Sequence, residues 1–84
     1  MKYQVRTVPA AEREIEKLLS SVYTRISAKI LYLEDSPRPS GTKKLSGRDE
    51  YRLHVGDYRV LYTIDDRNRE VIVFAVGHRG KVYR

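Results

Sequence analysis

The sequence predicts an α+β fold: an N-terminal strand, an antiparallel helical hairpin, then a three-stranded antiparallel meander. Three observations carry this. Residues 51–62 alternate apolar and basic side chains on either side of Gly56-Asp57, the mark of a two-residue hairpin loop led by glycine. Between Ala11 and Leu33 the apolar residues recur at helical spacing instead, and Glu70-Val71-Ile72-Val73-Phe74-Ala75-Val76-Gly77 is the most β-prone run. The 84 residues leave room for one small domain, 1–84, with a single thin core.

In chain order, Tyr3, Val5 and Thr7 alternate with Lys2, Gln4 and Arg6 as a first strand, which Pro9 ends. Proline fits the first turn of a helix, where its missing N–H is no loss, and Glu12, Glu14 and Glu16 sit toward the positive end of the helix dipole. Ala11, Ile15, Leu18, Leu19 and Val22 form the apolar stripe of this helix. Ser20-Ser21 is the expected break, with Ser21 or Thr24 as cap of a second helix whose stripe is Tyr23, Ile26, Ile30 and Leu33, with Arg25, Lys29 and Glu34 outward. Such a hairpin is a natural cover for one face of a sheet. The stretch 36–42, with two prolines and a glycine, is a linker, and Lys43-Lys44-Leu45-Ser46-Gly47-Arg48 follows as a basic, glycine-broken segment anchored by Leu45.

The hairpin strands, about 50–56 and 58–65, yield a definite geometry. With Gly56-Asp57 as the loop, Val55 faces Tyr58, His54 faces Arg59, Leu53 faces Val60, Arg52 faces Leu61 and Tyr51 faces Tyr62. Tyr51, Leu53, Val55, Tyr58, Val60 and Tyr62 then share an apolar face, while Arg52, His54 and Arg59 share the other with Leu61 and Thr63. Clustered like charges cost stability, which points to a polyanionic partner; the plainer alternative is a solvated strand face. After a turn at 65–69, the last strand is apolar on both sides, so a central, doubly covered position is expected, with Ile72, Phe74 and Val76 left for the tail, Leu61 or a partner.

Lys and Arg number 17 against 11 Asp and Glu, a net charge of +6 that suits nucleic acid or another polyanion. The excess lies mainly in the second half, +4 over residues 43–84 against +2 before it. With no cysteine there is neither a disulfide framework nor a thiolate metal site, as in reducing compartments. No signal-like apolar run opens the chain and no segment is long enough to span a bilayer, so a cytoplasmic location without membrane attachment is expected. Two histidines and scattered carboxylates give no ligand spacing, and no metal or other cofactor is expected. What remains is guanidinium, imidazole, lysine and phenol. That set suits RNA cleavage by attack of a ribose 2′-OH on its own phosphate, which needs a base, an acid and cations for the developing charge.

Over essentially its whole length the chain resembles the RelE toxins of the RelE/ParE toxin–antitoxin superfamily, particularly their compact archaeal and bacterial forms. The resemblance rests on the strand and helical hairpin, Ser36-Pro37, Lys44-Leu45-Ser46-Gly47, Tyr51-Arg52-Leu53-His54-Val55, Asp57-Tyr58-Arg59-Val60-Leu61-Tyr62, Val76-Gly77-His78-Arg79 and Val82-Tyr83 in that order. It implies a type II toxin that cuts mRNA in the ribosomal A site without a metal and is neutralised by a cognate antitoxin, possible assemblies including a heterotetramer. The implied catalytic residues are Arg52, His54, Arg59, Arg79 and Tyr83, with Lys43, Lys44, Arg48 and Lys81 steering RNA.

The chain departs from the best-known pattern, which has lysines where Arg52 and His54 stand. Arginine cannot act as a base near neutral pH, whereas imidazole can take a proton from a 2′-OH directly. His54 is therefore expected as general base, Arg52 and Arg59 as transition-state cations, Arg79 as a phosphate clamp or an assistant to the leaving oxygen, and Tyr83 as a stacking or orienting group. His78, beside Arg79 on the strand, should point the other way and is expected to be structural. The other readings are a ParE-like inhibitor of DNA gyrase and a non-catalytic nucleic-acid or protein-binding module.

Overall fold

The computed structural model describes residues 2–45 and 49–82, with the backbone alone for 81 and 82. Its elements are β1 (Gln4–Thr7), α1 (Pro9–Glu16), α2 (Ser20–Tyr32), β2 (Thr42–Lys44), β3 (Glu50–Val55), β4 (Tyr58–Asp65), β5 (Glu70–His78) and α3 (Arg79–Val82). The expected meander is β3-β4-β5, and it sits inside a larger, five-stranded sheet of order β1-β5-β4-β3-β2. β1 adds in parallel beside β5, so the helical hairpin is the crossover between parallel neighbours. β2 was not foreseen: a run with two lysines and no apolar residue has no strand pattern of its own, and it forms by pairing with β3, Lys43 against Arg52.

The hairpin register follows the alternation residue for residue, from Glu50 opposite Thr63 to Val55 opposite Tyr58. Gly56 has φ +61°, which favours glycine, and no other loop residue there takes a positive φ. A one-residue slip would exchange the two faces of the strand, so the turn chemistry and the burial pattern enforce the same register. Tyr51, Leu53, Val55, Val60 and Tyr62 are buried beneath the helices with Ala11, Ile15, Ile26, Leu33, Val71, Val73 and Val76. Tyr51 and Tyr62 stack across the strands with ring centroids 5.8 Å apart.

The helices depart from expectation at their junction. α2 begins at Ser20, with Leu19 as a cap residue that makes no side-chain hydrogen bond, and the Thr24 hydroxyl donates back to the Ser20 carbonyl at 2.9 Å within the helix. Neither Ser21 nor Thr24 is therefore the cap. Placing the junction at 17–19 rotates the stripes: Leu19 is 77% exposed and Tyr23 44%, leaving Ile15, Leu18, Val22, Ile26, Ile30 and Leu33 to face the sheet. Arg25 is exposed, as expected, but its guanidinium lies over the hairpin tip, with Nη2 only 2.9 Å from where a Cβ on Gly56 would stand.

The last strand also differs. β4 takes the central position and β5 lies between it and β1. A bulge separates the pairs Leu61–Ala75 and Tyr62–Val73, so Phe74 is the extra residue and the alternation of β5 inverts after it. Val76 thereby enters the core instead of remaining with the half-buried Ile72 and Phe74.

The linker is tied to the sheet by side chains rather than by packing. Arg38 donates two hydrogen bonds to the Asp66 carboxylate, at 2.8 and 3.2 Å, and two to the Tyr51 hydroxyl, at 3.1 and 3.2 Å. Tyr3 donates to Asp66 at 2.6 Å, and the Tyr62 hydroxyl to the Pro37 carbonyl at 2.7 Å. The Arg38 bonds, with help from Tyr3, hold the Asp66 carboxyl at about 2. A carboxylate pKa held below its ordinary value near 3.9 adds stability that is complete above that value and is lost as pH falls through about 2. Asp66→Asn should therefore lower the urea midpoint at pH 6, with the gap to the parent narrowing between about pH 4 and 2; a gap independent of pH would contradict the role given to this carboxylate.

Candidate active site

The face of the sheet turned away from the helices carries the cations. Pairing across β2, β3 and β4 places Lys43 beside Arg52, Arg52 beside Leu61, and His54 beside Arg59 on this face. Opposed side chains in an antiparallel pair have Cβ atoms about 5 Å apart, within reach for a common ligand. After the bulge at Phe74, Ala75 and Gly77 lie opposite Leu61 and Arg59, and Arg79, at the start of α3, is near enough for its charge to act on His54. The Arg79 amide donates to the Asp57 carbonyl at 2.9 Å, which fixes the start of α3 against the hairpin tip.

Arg59 is the residue whose environment most needs explaining. It is only 9% exposed, its Nε is buried without a hydrogen-bond partner among the described residues, and its Nη1 reaches only the Tyr58 carbonyl, at a long 3.5 Å. None of the ion pairs formed by described residues includes it. A buried guanidinium without a carboxylate retains a large unmet demand for an anion, and its planar fork suits phosphate oxygens.

His54, directly opposite, is exposed. Desolvation, and then the positive charges of Arg59, Arg52 and Arg79, push its pKa below the ordinary imidazole value. This favours the neutral imidazole, the form able to accept a proton. The charges of the three arginines thus act on the same imidazole.

The remaining expected site residues fall differently. Lys43 lies on the cationic face, whereas Lys44, paired with Tyr51, alternates to the other side. Arg48 and Tyr83 lie outside the described residues, as does the side chain of Lys81. Arg25 was not foreseen as a neighbour of the site. It comes from α2, about thirty positions before Gly56, and helical spacing alone marks it as a solvent-facing residue; a guanidinium at the hairpin tip extends the positive surface around that end of the sheet. The opposite end is acidic or neutralised, with Arg6 bound to Glu70 at 3.0 Å and Asp65 and Asp66 at the turn. Among the described residues no three His, Asp or Glu side chains gather as a metal centre requires, and no helix among them is long and apolar enough to cross a membrane.

Comparison with known proteins identifies the family of this fold. Residues 5–83 match the family model described as the ParE toxin of a type II toxin–antitoxin system, parDE. Toxin RelG of Mycobacterium tuberculosis is 30% identical over 87 aligned positions that cover all of this chain and 99% of that protein. Among solved structures, the archaeal RelE–RelB complex from Pyrococcus horikoshii superposes with a TM-score of 0.87 at 27% identity, covering 98% of this chain and 100% of that one. The toxin–antitoxin complex RelBE2 of Mycobacterium tuberculosis follows at 0.82 and 28%, covering 94% and 100%. The likeness runs the full length, through the strands that carry Arg52, His54 and Arg59, and the chain belongs to the RelE/ParE superfamily of type II toxin–antitoxin toxins.

Proposed function

We propose that this toxin is a ribosome-dependent mRNA endonuclease that cuts in the A site by attack of a 2′-OH on the adjacent phosphate. The observation that carries the reading is Arg59, a nearly buried guanidinium without an acidic partner among the described residues, set opposite an imidazole whose pKa is pushed down by desolvation and the neighbouring arginines. His54 removes the 2′-OH proton, the 2′-oxygen attacks phosphorus, and the bond to the 5′-oxygen breaks as that oxygen takes a proton from solvent water. The products are a 2′,3′-cyclic phosphate and a 5′-hydroxyl. Arg59 and Arg52 stabilise the charge that grows on the non-bridging oxygens, where preorganised donors have their largest effect. Arg79 clamps the phosphate or steadies the leaving oxygen. Tyr83 stacks on or orients a base, and Lys43, Lys44, Arg48 and Lys81 contribute a salt-dependent attraction for RNA. No step calls for a metal or another cofactor.

An antitoxin partner is part of the same proposal, supported by solved relatives that are toxin–antitoxin complexes, with a heterotetramer as one possible assembly and the cytoplasm as the site of action. A second reading, inhibition of DNA gyrase, draws on the ParE description of the family model. It gives no role to the pairing of His54 with Arg59. Incubation with translating ribosomes and mapping of mRNA ends, beside a supercoiling assay, separates the two: cut ends in the A site support the nuclease, loss of supercoiling without cuts supports the gyrase inhibitor, and ribosome binding with neither supports a non-catalytic module.

His54→Ala should reduce cleavage about 100-fold or more while leaving ribosome binding intact, in line with the usual contribution of a general base. The acid limb of kcat/KM, which reports the free enzyme, should fall below the ordinary imidazole pKa of about 6.5, because the free site disfavours the imidazolium. An acid limb at or above that value, or one that survives His54→Ala, would remove His54 from the mechanism. Arg59→Met offers a test of a different kind. It keeps an apolar stem but removes the buried unpartnered charge, so stability should rise by about 1–2 kcal/mol, a Tm increase of several degrees, while cleavage is lost. A variant less stable than the parent would show that Arg59 serves the fold rather than the substrate.

A further inference from the structure

His78 ends β5 on the helix-facing side, paired with Tyr58, and the catalytic reading gives it no part. Its ring meets Tyr58 edge-on, with centroids 5.6 Å apart and planes at 80°. So held, Nδ1 accepts a long hydrogen bond of 3.5 Å from the Gly80 amide, in the first turn of α3. The preceding amide, that of Arg79, is held by the Asp57 carbonyl at 2.9 Å. A helix of four residues cannot support its own nucleus, since closing the first turn fixes several dihedrals for one hydrogen bond. Its direction must come from outside, and among the described residues these two amides are held by the hairpin loop and by the end of β5.

We propose that His78 is a positioning residue for Arg79. Tyr58 fixes the imidazole, the imidazole caps the Gly80 amide, and the two capped amides together set the direction in which Arg79 leaves the end of β5, toward the face shared by His54 and Arg59. The role needs an acceptor at the Nδ1 position, with the ring in its Nε2–H tautomer, rather than bulk. It rests on the nuclease reading for its consequence and on the geometry of α3 for its existence.

Three variants in the full chain test it. His78→Phe keeps a ring against Tyr58 but has no acceptor, His78→Asn keeps an acceptor favoured at helix starts without the ring, and His78→Ala keeps neither. In the ribosome cleavage assay His78→Phe should lose about tenfold in kcat with KM changed by less than about twofold, because a misdirected Arg79 weakens the transition state more than ribosome binding. His78→Asn should recover most of that loss and His78→Ala should not. The exchange of the Gly80 amide with water, measured by NMR, should rise about fivefold or more in His78→Phe and His78→Ala and return toward the parent in His78→Asn. A His78→Phe chain with parental kcat and parental Gly80 exchange would overturn the proposal, as would His78→Asn and His78→Ala that cannot be told apart. If the parent cuts no mRNA, the nuclease reading fails on its own, and Gly80 exchange still decides whether the imidazole holds α3. Thermal midpoints of all three, expected within a few degrees of the parent because His78 is exposed, separate a local effect from general unfolding.

Discussion

The register of one hairpin governs this protein. Gly56, at φ +61°, closes the loop between β3 and β4 so that Leu53 meets Val60 on one side of the sheet and His54 meets Arg59 on the other. Because side chains alternate with a period of two residues, core and site are not independent features. A sequence that buries Tyr51, Leu53, Val55, Val60 and Tyr62 under the helices has no choice but to gather Arg52, His54 and Arg59 on the opposite face. The stability of the core is what holds these like-charged and desolvated groups on one face.

That arrangement accounts for where the acidic residues went. Asp66 and Glu70 are engaged by Arg38 and Arg6 at the far end of the sheet, and Asp65 accepts from Asn68 within the turn. These contacts fasten the linker, the first strand and the β4–β5 turn, all remote from the hairpin tip. Had any of these carboxylates reached Arg59, its buried guanidinium would have been satisfied and the attraction for an outside anion reduced. Asp65, Asp66 and Glu70 are thus engaged at the end of the sheet away from Arg59.

Much of this was legible in the sequence, for a physical reason. Alternation around Gly56-Asp57 is a local signal, and local signals fix a two-residue hairpin completely; the same holds for Pro9 at the start of α1 and for the prolines of the linker. What escaped notice depends on partners distant in the chain. β2 is a strand only because β3 offers it hydrogen bonds. Leu19 and Tyr23 lie outside the core because the helix junction falls earlier than the serines suggest. Arg25 reaches the hairpin tip through the crossing of α2 over the sheet. The decisive case is Phe74. A bulge leaves no mark in a continuous apolar run, yet this one inverts the rest of β5 and moves Val76 into the core.

In the proposed mechanism, the arginines that would attract RNA also set the strength of the base. In the free protein their charges, added to desolvation, disfavour the imidazolium form of His54, which favours the unprotonated base but also makes it a weaker one. A phosphate seated between Arg52, Arg59 and Arg79 offsets much of that positive field. The pKa of His54 would then rise, and with it its affinity for a 2′-OH proton, on the arrival of the scissile group that the proposed mechanism requires. Substrate binding and basicity are thus linked through one electrostatic field, and a histidine at this position gains from the linkage in a way that an arginine, protonated in either state, could not.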